Sequence, residues 1–272
     1  MCRFARWFGT AVVVLLVTLA PAAPVTDGQP DAGAHPAVGF IMGTHGDPCV
    51  YLNQFVGRSG VLIASDILLS TAEATSAIQD SLDTGFIDAA WVIMDPQPFV
   101  PGAPEPDTFD CNKMIPVSRI DTNPAAAGLN GGDVGVFILG ASQSITPAAL
   151  PTLDRLKKVK RSPLTVVTYG VVSDPNVEAS LTQRSATATT DNPVHLQLET
   201  HRVILDPATP PSPNPCIGFL NQGGAAFIGS TNELISLVRW DTPQTSCHPA
   251  NYYQRLDVQS VRDFLGNYVT LP

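Results

Sequence analysis

The chain has 272 residues, and its 24 acidic against 15 basic side chains give a formal net charge of -9, which argues against binding to bare nucleic acid. Its 21 glycines and 25 prolines favour many turns over long helices, and the length suits one large β domain or two small ones.

Residues 1–22 carry Arg3 and Arg6, then the apolar stretch 10–20, and close on Ala20-Pro21-Ala22, the pattern of a secretory signal peptide. The apolar run is shorter than the roughly 18 residues that cross a bilayer, so no membrane span is expected. Removal takes both arginines and Cys2, moving the net charge from -9 to about -11. The remaining Cys49, Cys111, Cys216 and Cys247 are an even set in an exported chain, which favours two disulfides and allows three pairings. Their spacing does not match a zinc site, and neither a metal nor a cofactor is expected.

Further along, short apolar runs rich in β-branched or aromatic residues recur at 37–42, 49–55, 60–64, 67–70, 90–94, 134–139, 164–172, 203–205, 225–228 and 234–240. Turn signals separate them, which predicts an all-β sandwich or barrel. The proline-rich stretches 95–106 and 206–215 read as surface loops, since proline cannot donate to a ladder. Residues 145–160 look like a connection with a brief helix near 153–159, and the basic run from Arg155 to Arg161 reads as its solvated face. Helical periodicity is convincing only at 257–268, through Val258, Val261, Phe264 and Leu265.

Several segments, in order, resemble trypsin-like serine peptidases of the secreted bacterial or fungal type. His35-Pro36-Ala37-Val38-Gly39 is similar to the start of the mature enzyme, and 59–64 with Ile67 to Ala74 resembles the strand pair ending in Thr-Ala-Ala-His-Cys. Asp133-Val134-Gly135-Val136 resembles the strand that carries the triad aspartate, and Asn221-Gln222-Gly223-Gly224-Ala225 stands where Asp-Ser-Gly-Gly-Pro is usual. The resemblance implies two packed six-stranded Greek-key β-barrels with a C-terminal α-helix. Their bounds would be about 28–140, 160–256 and 257–268 within a peptidase domain of 23–272. It also implies that Cys216 pairs with Cys247, leaving Cys49 for Cys111. The family's bridge beside the catalytic histidine would fall on Arg58 and Ala74, where both cysteines are missing together.

On this resemblance Glu73, Asp133 and Gln222 take the triad positions, and Leu220 with Gln222 takes those of the oxyanion hole. Acyl transfer needs a hydroxyl or thiol and an imidazole base, and only the carboxylate, Asp133, is kept. Leu220 replaces a glycine whose backbone freedom helps form the hole. A neutral Asn221 replaces the aspartate that would pair with a new N-terminus. Glu73 and Asp133 should lie close enough to share a proton, or Glu73 should hydrogen-bond the Gln222 amide. The expectation is an inactive, secreted, monomeric homologue that binds an unknown peptide or protein, with an extended peptide adding beside residues 237–240. The alternative is a hydrolase working through non-standard residues. His35, His45, His195, His201 and His248, and Ser70, Ser212 and Ser236, lack a motif that would make them catalytic.

Overall fold

A computed structural model of the chain describes residues 29–49, 55–98, 109–126, 132–159, 164–171, 181–188, 196–198, 202–205, 222–239 and 251–272. Strand β1 (Gln29–Pro30) precedes a six-stranded barrel built from β2 (Val38–Thr44), β3 (Phe55–Ala64), β4 (Ile67–Ser70), β5 (Ala89–Ile93), β6 (Met114–Thr122) and β7 (Gly135–Leu139). Their order is β2-β3-β4-β7-β6-β5, and antiparallel pairing of β5 with β2 closes it. Phe40, Val61, Leu69, Val92 and Phe137 are fully buried and belong to its core. Burying such side chains is the main favourable term in folding.

Helix α1 (Ala72–Asp83) follows β4 directly, where the sequence gives no helical period. Its inward face is Ala72, Ala74, Thr75 and Ile78, mostly too small or polar to register as a hydrophobic stripe. The start is nonetheless encoded. Thr71 is the N-cap, its side chain accepting from the Ala74 amide, and Glu73 adds an acidic group to the first turn. A Cβ at Gly135 would collide with the Thr75 side chain, so this glycine lets α1 press against β7.

The second half is an antiparallel sheet of β8 (Leu164–Val171), β9 (Leu181–Ala188), β10 (Leu196–Leu198), β11 (Arg202–Leu205), β12 (Ala225–Ile228), β13 (Leu234–Arg239) and β14 (Asn251–Arg255). The order is β1-β9-β8-β12-β13-β14-β11-β10, so the six strands from β9 to β11 are extended by β1 at one edge and β10 at the other. Leu164, Val166, Ala226, Val238 and Tyr253 form its own core cluster. A single-turn helix, α2 (Arg155–Lys158), puts Leu156 into this cluster, whereas α3 (Gln259–Leu265) buries Val261, Phe264 and Leu265 in the cluster that holds the first barrel's core. The basic run is partly paired: Arg155 makes a bidentate bond to Glu233, and Lys157 meets Asp154 at 2.8 Å. Arg255 and Asp257, both buried, bond through Nε and Oδ1 at 2.8 Å, while Asp257 Oδ2 accepts from the Leu156 amide at 2.7 Å.

Cys49 and Cys111 are joined by a disulfide, as the resemblance implied, with Cα atoms 5.5 Å apart. Cys216 and Cys247 lie outside the described residues, as do residues 1–28 and both proline-rich stretches apart from residues 95–98. Among the described residues, no helix is long and apolar enough to cross a membrane.

Candidate functional site

The two halves meet along a seam that is polar as well as apolar. The Ser59 amide in β3 donates to the Gln222 carbonyl at 2.9 Å, and the Tyr169 amide in β8 donates to Ser59 Oγ at 3.0 Å. The Tyr169 hydroxyl donates to the Asp95 carbonyl at 2.7 Å, and its ring lies 5.5 Å from that of Phe40. Gly223, at φ +82°, sits against Ser70 Oγ and the Ser59 carbonyl, with no room for a Cβ. The turn at Gln222 and Gly223 is therefore pinned to the first barrel through its backbone.

Glu73 and Asp133 come together, although not through their carboxylates. Asp133 precedes β7, and its Oδ1 accepts from the Glu73 amide at 3.3 Å in the first turn of α1. Each carboxylate has its own arginine. Arg239, at the end of β13, places Nε 3.1 Å from Asp133 Oδ2, with the two side chains 12% and 10% exposed. Arg58 Nη2 lies 3.7 Å from Glu73 Oε1, and its other end donates from Nη1 to the Gly57 carbonyl at 2.8 Å. Burial lowers the Arg58 pKa and the nearby Glu73 charge works in the opposite direction. Two guanidinium groups thus supply the neutralisation that a shared proton would otherwise provide.

Gln222 is completely buried, and among the described residues neither its amide oxygen nor its amide nitrogen has a hydrogen-bond partner. The expected bond from Glu73 to Gln222 is therefore absent, because Glu73 turns toward Arg58 and is 46% exposed. Leu220 and Asn221 lie outside the described residues.

The remaining polar candidates are engaged elsewhere. His35 Nδ1 is 2.7 Å from Asp31 Oδ1 and its ring stacks on Phe227 at 5.2 Å. His45 pairs with Asp88 at 3.1 Å on the surface. Ser70 is buried and donates to the Ser59 carbonyl at 2.8 Å, whereas Ser236 is buried and its hydroxyl has no partner among the described residues. His195, His201, His248 and Ser212 are outside the described residues. Among the described residues no cluster of three or more His, Cys, Asp or Glu could hold a metal ion.

The expected addition of a peptide beside residues 237–240 meets an obstacle. Strand β13 is interior, Leu237 pairing with Ala225 on one side and Gln254 on the other. The Val238 amide donates to the Gly224 carbonyl and its carbonyl accepts from Gly223.

No protein-family model matches the sequence, and no curated protein is similar to it. Solved structures are similar in fold. HL collagenase shares 17% identity over 87% of this chain and 94% of its own, with a TM-score of 0.55. The scabies mite inactivated protease paralogue S-I1 shares 12% identity over 88% of this chain and 97% of its own, with a TM-score of 0.60. The fold is that of the chymotrypsin-like serine proteases.

In this chymotrypsin-like fold Asp133 and Gln222 lie at the seam between the two halves, and Glu73 is tied to Asp133 through its amide. Sequence reading missed Arg239, the partner of Asp133, and it noticed Arg58 only as a missing cysteine. The available signal was that two arginines lie in apolar strand sequence, where an uncompensated charge is costly and a partner is demanded.

Proposed function

We propose that this chain is a secreted, catalytically inactive homologue of the chymotrypsin-like serine proteases, acting as a monomeric binding or regulatory module through the surface over the former substrate cleft. The observation that carries the inactive half is Gln222, which has no nucleophilic oxygen and no exposed surface. A carboxamide cannot be activated for acyl transfer, and a sealed side chain cannot reach a scissile carbonyl. The engagement of Asp133 with Arg239 supports the same reading, because that carboxylate oxygen is not available to orient a base. The name of the scabies mite paralogue describes an inactivated protease, which makes the reading one with a structural counterpart.

The purified protein is expected to remain unlabelled by a fluorophosphonate probe and to leave casein and ester substrates intact. Labelling that persists in Gln222→Ala would overturn the proposal, since another nucleophile would then be at work. The double variant Glu73→His/Gln222→Ser is also expected to stay silent while Arg239 holds Asp133. For the binding half, panning a displayed peptide library on the immobilised protein should select extended peptides that lose affinity in Trp240→Ala. Recovery of no such peptide removes the cleft as the binding surface.

A further inference from the structure

Asp133 is the one residue of the triad positions whose chemical type is retained, and its surroundings give it different work. It belongs to the first barrel, two residues before β7, yet two of its polar contacts reach the second half. Its Oδ2 faces Arg239 Nε of β13 at 3.1 Å, and its backbone amide donates to Gln254 Oε1 of β14 at 3.2 Å. A further contact, from the Glu73 amide to Oδ1, ties it back to α1. Gln254 is fully buried and is itself fixed, its Nε2 donating to the Arg255 carbonyl at 2.8 Å. Arg239 and Asp133 are each about nine-tenths buried, so salt and water screen their attraction poorly.

We propose that Arg239 and Asp133 form an electrostatic clamp that fixes the two barrels relative to each other across the former catalytic seam. One apolar cluster already runs from the first barrel to Val167, Tyr169 and Phe227 of the second half, and the charge pair adds a directional contact across the same seam. The clamp joins the end of β13 to the segment that leads into β7, and its geometry is held from the α1 side and the β14 side. Removing one partner leaves the other charged and buried, which is far more costly than removing both. The clamp is independent of whether the surface above it binds a peptide.

The test is hydrogen exchange on the full chain, read at individual amides. In Arg239→Met the inter-barrel amides of Ser59, Asp133 and Tyr169 should exchange at least about tenfold faster, while amides paired within one barrel, such as those of Val61 and Leu69, should change by less than about twofold. In Asp133→Asn/Arg239→Met the loss should be clearly smaller than the sum of the two single effects. Acceleration spread evenly through both barrels, unchanged protection at the three amides, or strictly additive losses would each overturn the clamp. Should Arg239→Met not fold, Arg239→Lys decides the matter. It keeps the charge but loses the fixed guanidinium geometry, so faster exchange confined to the three amides supports the clamp and unaltered protection there refutes it.

Discussion

A carboxamide enclosed with no hydrogen-bond partner among the described residues, as at Gln222, costs free energy, because its water contacts are lost. Tyr253 presents the same situation, its hydroxyl buried in the second half's cluster with no partner among the described residues. Tyr169 is equally enclosed but donates to the Asp95 carbonyl. These three side chains make a controlled comparison. Gln222→Met and Tyr253→Phe should each stabilise the fold by about 1 kcal/mol, whereas Tyr169→Phe should destabilise it by a similar amount. Urea unfolding of the three variants checks both signs, and a loss of stability in Tyr253→Phe would mean that its hydroxyl is satisfied in solution.

At the scale of elements, α1 shows why some of the fold was hidden in the sequence. Its buried face is short and small, so the hydrophobic period is weak, and the information lies in the cap and in Gly135 opposite Thr75. Thr71→Ala should cost about 1 kcal/mol through the lost bond to the Ala74 amide, visible as a lower midpoint in urea with unchanged slope. Strand β6 escaped for another reason. It contains Pro116 and is only half-buried or exposed along its length, so it carries neither an apolar run nor clean alternation. Strand β9, Leu181–Ala188, is polar in sequence and was missed likewise. By contrast β2, β4, β7, β12 and β13 are almost wholly buried and stand out as apolar runs. Glu73, Asp133 and Gln222 could be named from their motifs. Arg239 as the partner of Asp133 could not, because that pairing depends on how two distant segments pack.

For the whole molecule, the buried phenols predict a weakness in alkali. Burial pushes the Tyr169 pKa well above the ordinary tyrosine range, helped by Asp95 and Asp31, and burial alone does so for Tyr253. Both groups keep their protons in the folded state, while an unfolded chain releases them near pH 10. Their stabilising effect is complete below about pH 10 and is lost as the pH rises toward the elevated folded values. Unfolding free energy should therefore fall between about pH 9.5 and about pH 11.5, more gently in Tyr253→Phe. A flat profile over that interval would show that the rings are accessible to base.

The closure of β2 to β7 into a ring has a further effect on association. A closed ring has no unpaired strand edge, so a neighbouring chain cannot extend it by main-chain bonding. The second sheet is different, since among the described residues it ends on the two-residue β1 and the three-residue β10. Residue pairs Gln29–Ser185 and Pro30–Arg184 are the only ones that β1 makes with the eight residues of β9. Strand-to-strand joining of molecules is thus confined to one half of the protein, and its direction is set by which of these two short flanks is exposed.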